Sequence, residues 1–361
     1  MSVFKVEVVK LHIAPHPDAD VLELAQVGGY VAVVRKGEFR TGDLAVYIPE
    51  GAVVPTEILA RMGLEGKLAG PQKNRVKAAR LRGVLSQGLV GSFKALGIEA
   101  REGDDVAERL GITKYEPPTP VALGGEVFNA GRELTLDFDV QNWKSYPDIL
   151  REGEEVIFTE KLHGTCTIIA ILPYKDAHPE AFGERKNVLI FSKGLGAKGL
   201  AFKNNERNKD NLYVRATRAL VARIDEVQRD TTGVVMPNFI LGETFGPGVQ
   251  DLTYGNGVGF RVFAAAYGYR GDQRYQNWSF VEGSFKAQFN FETVPVLYRG
   301  PFSVAAMREH TDGKTAMGAD HIREGIVMVP AVERTDPRIG RVCLKSVSAD
   351  YLTRKNGTEY N

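Results

Sequence analysis

A proline-rich segment divides the chain into two parts. The segment Glu116-Pro117-Pro118-Thr119-Pro120 cannot continue a helix or a central strand, because proline fixes φ and lacks a backbone N–H. A chain of 361 residues also exceeds what one compact core usually holds, since domains run to about 100–200 residues. We therefore predict an N-terminal domain over residues 1–110, a linker over 111–130 and a C-terminal domain over 131–361.

The part before the proline-rich segment contains many short candidate strands. Apolar or alternating runs are separated by glycine, proline and aspartate turns, and few helical patterns interrupt them. Several short strands of this kind are typical of a small sandwich or barrel. The predicted strands cover Val3–Val9, Val21–Val27, Tyr30–Val34, Leu44–Ile48 and Leu89–Phe93.

The part after the proline-rich segment mixes strands with helices. Its clearest helix is predicted over Asn211–Arg229, where apolar residues recur at steps of three and four. Further helices are predicted over Ser279–Phe289 and Val304–His310. Strands in succession with inserted helices indicate an α+β domain with a largely antiparallel sheet. The predicted strands are Glu155–Thr159, Thr165–Leu172, Val188–Ser192, Asn238–Glu243, Gly259–Tyr267, Gly325–Val329 and Arg341–Val347.

Charge is balanced over the whole chain but not locally. With 46 basic and 45 acidic residues, the net charge indicates no class of partner. The run Lys73–Arg82 has five basic residues and no acidic one, and the run Arg185–Arg223 has ten basic residues against two acidic. Either run alone is most often a solvated surface, whereas the two together are compatible with a polyanion lying across one face.

Cysteine and histidine usage excludes several kinds of site. The two cysteines, Cys166 and Cys343, lie in apolar strand-like runs, which excludes a disulfide framework and favours a reducing, cytoplasmic location. The six histidines have no partners at the spacing of a zinc site. No apolar run approaches the roughly 18 residues that cross a bilayer, so we expect no membrane association.

A lysine lies in a short polar turn between two apolar runs, in the segment Glu160-Lys161-Leu162-His163-Gly164-Thr165. Its Lys-x-x-Gly spacing has little weight alone, because the same spacing occurs at Lys67, Lys94 and Lys193. The flanking runs distinguish Lys161, since two buried strands would hold its ammonium group in a partly dry site. Desolvation and a nearby cation both lower the pKa of a lysine, as a nucleophilic amine requires. The alternative, which spacing alone favours, is a β-hairpin with an exposed lysine at its tip.

Four charged or aromatic residues follow in later strands. Glu243 ends an apolar strand, Phe263 lies within an aromatic one, and Glu324 precedes a third. Lys345 lies in an otherwise apolar strand. Taken singly, such residues are usually a solvated glutamate, a core phenylalanine or an edge lysine. Their order after Lys161 is the informative feature.

In this order the residues resemble the motifs of the ATP-dependent RNA ligases, within the superfamily of ligases and mRNA-capping enzymes. The turn Lys161–Gly164 resembles the motif that holds the adenylated lysine. Its Lys-x-His-Gly form is closer to RNA ligases than the Lys-x-Asp-Gly form common in DNA ligases. The other matches are Ser192-Lys193-Gly194 with a basic element, Glu243 with the third motif, Gln250 with a functional position, Phe263 with the adenine-stacking position, Glu324–Val327 with the fourth motif and Lys345 with the fifth.

Two positions depart from the family pattern. Ala264 follows Phe263 where the family often has aspartate, and Lys345 is the one clear lysine of a motif that often holds two. Arg341 is a possible substitute for the second lysine. The departures concern the contacts with phosphate and metal more than the family resemblance.

Three segments of the N-terminal part are similar to OB-fold modules of the tRNA-binding kind. They are His16–Glu23, Gly42–Val46 and Leu81–Gly88, and the first basic run leads directly into the last of them. An OB barrel offers a basic and aromatic groove for nucleic acid. An OB module placed before the catalytic part resembles the Deinococcus-type, or fifth, family of RNA ligases.

The resemblance implies an α+β protein in which an N-terminal OB-fold β-barrel precedes a nucleotidyltransferase domain with antiparallel sheets and flanking helices. It implies sealing of 3′-hydroxyl and 5′-phosphate RNA ends with ATP and Mg²⁺ or Mn²⁺, through a lysyl–AMP at Lys161. The implied metal residues are Glu324 and Glu243. The residues implied to bind ATP or AMP are Glu160, Lys161, His163, Gly164, Lys193, Glu243, Phe263, Glu324 and Lys345. The candidate RNA-binding residues are Lys198, Lys203, Arg207, Arg215, Arg218 and Gln250.

We expect the partner to be RNA, either a nicked duplex or a broken strand, and the protein to be a monomer. Two other functions stay open at this stage. A DNA ligase or a capping-type nucleotidyltransferase would share the lysine chemistry and differ in the nucleotide and the strand used. A non-catalytic tRNA-binding OB protein would bind RNA without forming lysyl–AMP, and would leave the ordered motifs of residues 160–345 without a role.

Overall fold

The computed structural model describes residues 4–229, 233–255, 257–355 and 357–358. Its contacts divide the chain into two compact units. Unit 1 comprises Met1–Glu116, Gln141–Pro147 and Ala349–Lys355, and unit 2 comprises Pro117–Val140, Asp148–Ser348 and Asn356–Asn361. The first change of unit lies at Glu116 and Pro117, inside the linker predicted over residues 111–130. The predicted domain boundaries themselves stay a prediction.

The described residues form short strands and a smaller number of helices. The first strands are β1 (Glu7–Lys10), β2 (His12–Pro15), β3 (Leu22–Val27), β4 (Tyr30–Arg35), β5 (Leu44–Ile48), β6 (Ala52–Val53), β7 (Ala79–Leu81), β8 (Val84–Ser86), β9 (Leu89–Gly91), β10 (Thr113–Lys114), β11 (Val127–Asn129) and β12 (Gln141–Asn142). The later strands are β13 (Glu155–Glu160), β14 (Thr165–Ile171), β15 (Val188–Ser192), β16 (Leu200–Phe202), β17 (Asn238–Phe245), β18 (Gly259–Tyr267), β19 (Arg274–Tyr275), β20 (Val296–Pro301), β21 (Gly325–Pro330), β22 (Thr335–Asp336), β23 (Gly340–Arg341) and β24 (Leu344–Val347). The α-helices are α1 (Thr56–Arg61), α2 (Phe93–Leu96), α3 (Lys193–Lys198), α4 (Leu212–Arg229), α5 (Trp278–Phe280), α6 (Lys286–Phe289), α7 (Val304–Thr311) and α8 (Ala349–Leu352).

Unit 1 is built from antiparallel strands, with β1, β5 and β9 in one sheet and β2, β3 and β4 in another. Successive residues of a strand point to opposite faces, and β5 buries both of its faces. Val46 and Ile48 belong to one apolar cluster, whereas Ala45 and Tyr47 belong to another. The prediction of a β-rich N-terminal part is therefore confirmed.

Two predicted strands of unit 1 differ in extent from the strands of the structure. The apolar neighbours of Phe93 predict that it lies in a strand, but the strand ends at Gly91 and Phe93 begins α2. The reason is a helix cap, because the Ser92 hydroxyl accepts a hydrogen bond from the Ala95 N–H. The predicted strand Val3–Val9 overlaps β1, and Val3 lies outside the described residues.

Unit 2 contains two antiparallel sheets, which confirms the predicted α+β class. The first has the strand order β15, β14, β17, β18, β19. Within the same unit, four strands of the second sheet pair in the order β24, β21, β13, β20. The first sheet is covered on both faces. Ile169 and Ile240 pack in a cluster with residues of α4, and Ile168 and Leu241 pack in a cluster with Phe128.

The helices agree with the predictions to different degrees. Helix α4 begins one residue after the predicted Asn211 and buries its apolar face, including Leu220 and Ile224. The single helix predicted over Ser279–Phe289 is wrong, because Gly283 has φ −95° and ψ −107° and interrupts the helical backbone between α5 and α6. Among the described residues, none of the helices combines the length and the apolarity that a membrane span requires.

The predicted strand Arg341–Val347 is also divided. Its residues belong to β23 and β24, and Val342 and Cys343 lie between these strands and are buried. The Val342 N–H donates to the Arg334 carbonyl. Apolar periodicity reports burial, and these two residues are buried without belonging to a strand.

Candidate active site

The turn that carries Lys161 joins the two sheets of unit 2. Strand β13 pairs with β20 and β21, whereas β14 pairs with β15 and β17. The alternative of a β-hairpin with a lysine at its tip is therefore wrong, because the strands on either side of the turn do not pair with each other. The Lys161 N–H donates to the Gly325 carbonyl at 3.0 Å, which fixes the turn against β21.

Gly164 closes this turn where the backbone leaves no room for a side chain. A Cβ atom at this position would lie 2.2 Å from the Thr244 carbonyl oxygen and 2.9 Å from Cγ of Glu243. Both atoms belong to β17, the neighbour of β14. Glycine at position 164 thus lets the lysine turn approach the strand that carries Glu243.

Lys161 forms a short ion pair with Glu324. Its Nζ lies 2.6 Å from Oε1 of Glu324, and the two side chains are 24% and 10% exposed. Burial lowers the pKa of Lys161, but the carboxylates of Glu324 and Glu243 more than offset it, so the pKa is raised. The prediction that nearby cations lower the pKa of this amine is wrong, because its nearest charges are acidic.

The two carboxyl groups beside Lys161 have opposite pKa shifts. Burial and the neighbouring Glu324 raise the pKa of Glu243 to about 8. Burial opposes ionisation of Glu324 as well, but Lys161 and His163 prevail and lower its pKa to about 2. At neutral pH the site therefore holds one ionised carboxylate paired with one ammonium group, and a second, protonated carboxyl group nearby.

A cavity of about 220 Å³ lies beside this ion pair within unit 2. It brings together six of the residues that were predicted to bind ATP: Glu160, Lys161, Lys193, Glu243, Phe263 and Lys345. Glu324 lies next to the cavity through its contact with Lys161, and His163 in turn contacts Glu324. The rest of the lining is mostly apolar, and comprises Phe138, Asp139, Val140, Thr159, Leu162, Cys166, Trp278, Val294, Val327, Val329, Arg341 and Cys343.

Two lysines add positive charge to the cavity. Lys345 lies on β24 opposite Val327, and burial together with nearby Lys161 lowers its pKa. Lys193 begins α3, and its Nζ lies 2.6 Å from Oδ1 of Asp139. Asp139 was not predicted, because it precedes the first motif in a stretch without recognisable periodicity. Its contact with Lys193 depends on tertiary structure alone.

The two departures from the family pattern have structural explanations. Phe263 lines the cavity and also packs against the apolar cluster in which Ala264 is buried, because the pairing of β18 with β17 passes from Val262 to Ala264 and leaves Phe263 in a bulge. Arg341 lines the cavity and forms an ion pair with Glu333, and its guanidinium lies 4.0 Å from the Tyr275 ring centroid. Arg341 thus occupies the cavity wall with its charge already offset by Glu333.

The carboxylate of Glu160 is engaged in the protein interior. It accepts hydrogen bonds from the Thr315 hydroxyl and, at 2.7 Å, from the Ala316 N–H, and the residue is 1% exposed. The Glu160 carboxylate therefore connects the segment after α7, at Thr315 and Ala316, to the end of β13 through hydrogen bonds. Any contact of residue 160 with a nucleotide would come from the part of the residue that faces the cavity.

The predicted RNA-binding residues do not form one uniform basic surface. Lys203 pairs with Glu180 at 2.7 Å, and Arg207 pairs with Glu126. Lys198, Arg215 and Arg218 are exposed. Gln250 is buried and donates to the Gly164 carbonyl at 3.2 Å, so it supports the lysine turn. The role of these residues in RNA binding stays a prediction.

The acidic residues suit a hydrated divalent cation better than a protein-enclosed one. Among the described residues, no group of three or more histidine, cysteine, aspartate or glutamate side chains is arranged to hold a metal ion. Mg²⁺ keeps several waters and typically uses one or two carboxylates together with substrate phosphates. The ionised Glu324 fits this mode of binding, and Glu243 fits it once its carboxyl group has lost its proton.

Comparison with known families identifies both parts of the chain. Residues 154–347 match the model of the RNA ligase family, and residues 3–92 match an OB-fold domain model. The chain belongs to the RNA ligase family. The predicted class is thereby confirmed as an OB-fold domain followed by an RNA ligase nucleotidyltransferase domain.

Solved structures of an RNA ligase share the fold of this family member. The RNA ligase of Naegleria gruberi with PPi is 23% identical, with a TM-score of 0.75 over 97% of this chain and 98% of that one. A variant of the same ligase with ATP and Mn is 23% identical, with a TM-score of 0.74 over 96% and 98%. Another variant, with AMP and Mn, is 22% identical, with a TM-score of 0.75 over 97% and 98%.

One curated relative belongs to a different enzyme. The phenylalanine–tRNA ligase beta subunit of Methylococcus capsulatus is 29% identical over 187 residues, which is 50% of this chain and 20% of that protein. The chain thus spans about a fifth of the length of this relative.

Proposed function

We propose that this protein is an ATP-dependent RNA ligase of the Deinococcus type, which joins 3′-hydroxyl and 5′-phosphate RNA ends through a lysyl–AMP intermediate. The observation that carries the proposal is the position of Lys161. Lys161 lies in the turn that joins the two sheets, and its amine is 2.6 Å from Glu324. It lines a cavity that is also lined by Phe263, Lys193 and Lys345. An amine, a flat apolar ring and two cations in one cavity match the parts of ATP that the reaction uses.

The first step is attack of the Lys161 amine on the α-phosphorus of ATP. A nitrogen–phosphorus bond forms, the bond to the β-phosphate oxygen breaks, and pyrophosphate leaves with that electron pair. Lys345 is the cation available to neutralise charge on the phosphates, and Lys193 would join it by leaving its ion pair with Asp139. Because the ion pair with Glu324 keeps the amine protonated, the amine must lose its proton before it can attack.

Glu324 and Glu243 are the residues that would hold Mg²⁺ or Mn²⁺. A variant of the Naegleria gruberi RNA ligase that was solved with ATP and Mn supports the use of a divalent cation. A divalent cation supplies positive charge that offsets the Glu324 carboxylate and the phosphates. Lys161 would then lose the interaction that raises its pKa, and Glu324 would change partner from the ammonium group to the cation.

Two further residues of the site, Phe263 and Glu243, would bind the nucleoside part of ATP. Phe263 offers its ring to adenine, and the apolar side chains around it exclude water. Glu243, whose pKa of about 8 leaves its carboxyl group protonated at neutral pH, can hydrogen-bond the ribose hydroxyls. In the later steps, AMP moves to the 5′-phosphate of RNA, and a 3′-hydroxyl then displaces AMP to seal the strand.

We propose RNA nicks or breaks as the substrate and a monomer in the cytoplasm as the working form. The OB-fold domain and the exposed cations Lys198, Arg215 and Arg218 would contact the RNA backbone, so binding would be sensitive to salt and indifferent to sequence. Sealing of matched nicks with RNA or DNA on the 3′-hydroxyl side distinguishes an RNA ligase from a DNA ligase, and ATP against GTP distinguishes both from a capping enzyme.

The central test is covalent labelling with α-labelled ATP and Mg²⁺, followed by a denaturing gel. We expect the wild type to retain the label and Lys161→Ala to retain none. Lys94→Ala is the matched control, because Lys94 has the same Lys-x-x-Gly spacing and lies in α2 of unit 1. Normal labelling of Lys161→Ala would show that the nucleophile lies elsewhere.

A further inference from the structure

His163 lies between two carboxylates at the centre of the candidate active site. Its Nε2 is 2.8 Å from Oδ1 of Asp251, and its Nδ1 is 3.7 Å from Oε2 of Glu324. The residue is 3% exposed, and its backbone N–H donates to the Tyr254 hydroxyl at 2.7 Å. The imidazole is therefore held on both sides and at its backbone.

Asp251 is in turn held by a residue from the far end of the chain. The Thr358 N–H donates to Oδ1 of Asp251 at 2.7 Å, and the Asp251 N–H donates to the Thr358 hydroxyl at 2.8 Å. The Thr358 hydroxyl oxygen lies 2.8 Å from Oδ1 of Asp251 and 2.9 Å from Oε1 of Gln250, and it can donate its hydrogen to either. Three contacts thus fix the Asp251 carboxylate and backbone against one threonine.

This arrangement connects Thr358 to the reacting amine through consecutive polar contacts. Asp251 binds one nitrogen of the His163 ring and thereby directs the other nitrogen toward Glu324. Glu324 is the carboxylate that pairs with the Lys161 amine. A carboxylate that binds one ring nitrogen of a histidine fixes the orientation of the other, and loss of such a partner at metal sites typically costs about 10- to 100-fold.

We infer that Asp251, held in place by Thr358, is a positioning residue that fixes the His163 ring against Glu324 for adenylate transfer. The inference rests on the proposed ligase function where it concerns reaction rates. It does not rest on that function where it concerns the orientation of the ring. If Asp251 only stabilised the loop after β17, its replacement would leave the rate of adenylate transfer from bound ATP unchanged.

The first experiment measures single-turnover formation of lysyl–AMP at varied ATP and Mg²⁺. For Asp251→Ala we expect the rate at saturating ATP to fall about 10- to 100-fold, with the ATP concentration for half-maximal rate changed less than about threefold. Asp251→Asn keeps an acceptor oxygen and should lie between this variant and the wild type. A rate for Asp251→Ala within about twofold of the wild type would overturn the inference.

Thr358 supplies a second, milder set of variants that leaves Asp251 in place. Thr358→Val removes the hydroxyl at nearly constant shape and should slow lysyl–AMP formation, whereas Thr358→Ser should restore the wild-type rate. Thr353→Val and Asp225→Asn are matched controls, because their side chains bond the Ala349 carbonyl and the Glu184 N–H rather than Asp251 or His163. Equal rates for Thr358→Val and Thr358→Ser would contradict the part assigned to Thr358.

A spectroscopic measurement separates this inference from the proposed function. In long-range ¹H–¹⁵N spectra of the full-length protein, the signals of the His163 ring nitrogens are identified as those that disappear in His163→Gln. We expect Asp251→Ala to shift them and Asp225→Asn to leave them in place. If the wild type forms no lysyl–AMP, the proposed function fails, and the spectra still decide whether Asp251 holds the ring. Unshifted His163 signals in Asp251→Ala would overturn the inference in either case.

Discussion

Phe263 shows at the scale of one residue how a strand presents a ring to a ligand. It lines the cavity from β18, and its ring centroid lies 6.0 Å from that of Phe138 in a tilted arrangement. The Phe263 ring is thus supported on one side by the Phe138 ring. The pair forms part of the cavity wall beside Lys161, where the proposed function places adenine.

Replacement of Phe263 with alanine should weaken ATP use more than sealing of pre-adenylated RNA. Loss of a stacked ring typically costs about 0.5–1.5 kcal/mol, so we expect the ATP concentration for half-maximal labelling to rise about 2- to 10-fold. The control is Phe280→Ala, a phenylalanine that is 38% exposed and does not line the cavity. Equal losses in the labelling and sealing assays would count against the stacking role.

Gly164 supports a second prediction at this scale. In Gly164→Ala, the new methyl group would meet the Thr244 carbonyl oxygen at 2.2 Å and must displace the lysine turn from β17. We expect lysyl–AMP formation to fall at least about 10-fold, since small misplacements of a reacting group are costly. Gly257→Ala is the control, because its methyl group would meet no atom within 4 Å. An active Gly164→Ala would show that the turn tolerates this displacement.

At the scale of elements, the site depends on β13 and β14 being consecutive in sequence but belonging to different sheets. Strand β13 leads into the turn and aligns Glu160 opposite Ile326. Strand β14 leaves the turn and aligns Cys166 opposite Glu243. Because each strand is fixed by its own neighbours, the short turn between them brings the acidic groups of both sheets to one amine.

An ion pair next to β13 makes stability depend on pH. Glu154 accepts from Arg334 at 2.6 and 2.8 Å, and Arg334 also donates to the Ile149 carbonyl. Burial raises the pKa of Glu154, but the bonds from Arg334 prevail, and its pKa is lowered from 4.5. A carboxyl group whose pKa is lowered on folding stabilises the protein above its unfolded pKa and loses this contribution as the pH falls.

We therefore expect Arg334→Gln to lower the free energy of unfolding by about 1 kcal/mol at neutral pH. The difference from the wild type should shrink as the pH falls below 4.5, where the carboxyl group of the unfolded chain becomes protonated. Urea denaturation of the wild type and the variant, at neutral pH and at a pH below 4.5, measures this difference in the free energy of unfolding. Arg274→Gln is the control, since its pair with Asp272 is mostly exposed. A difference that stays constant with pH would contradict the assignment.

At the scale of the whole molecule, the two units are interleaved along the chain. Unit 1 takes residues Gln141–Pro147 and Ala349–Lys355 from the part that follows the proline-rich segment. Tyr30 and Ser145 share a hydrogen bond of 2.9 Å within unit 1, and the Gly29 N–H donates to the Lys144 carbonyl at 3.0 Å. The OB-fold unit is therefore completed by sequence that lies on both sides of the RNA ligase motifs.

A protease site inserted between Glu116 and Pro117 tests this interleaving. After cleavage, we expect the two pieces to co-elute on size exclusion and to separate only in denaturant, because unit 1 includes segments from both. Arg80→Ala, which removes the 2.6 Å ion pair with Asp350, should weaken the association slightly. Pieces that separate without denaturant would show that residues 1–116 fold independently of the later segments.

The sequence by itself determined the elements and the identity of the reacting groups. Alternation and turn residues located β5, β15 and β18, helical periodicity located α4, and the ordered motifs predicted Lys161 and the family. These features are local, because strand and helix periods and short motifs depend on neighbouring residues. Glycine at position 283 was also visible, but its effect on the helix depended on backbone angles that the sequence does not give.

The tertiary structure alone decided how these groups act on one another. It placed Asp251 beside His163 across 88 residues and Thr358 beside Asp251 across 107, and it set Asp139 against Lys193. It also reversed the expected shift in the pKa of Lys161, because that shift depends on which charges surround the amine. Distances between residues far apart in the chain, and hence the electrostatics of the site, follow from the packing of the two sheets and not from any local pattern.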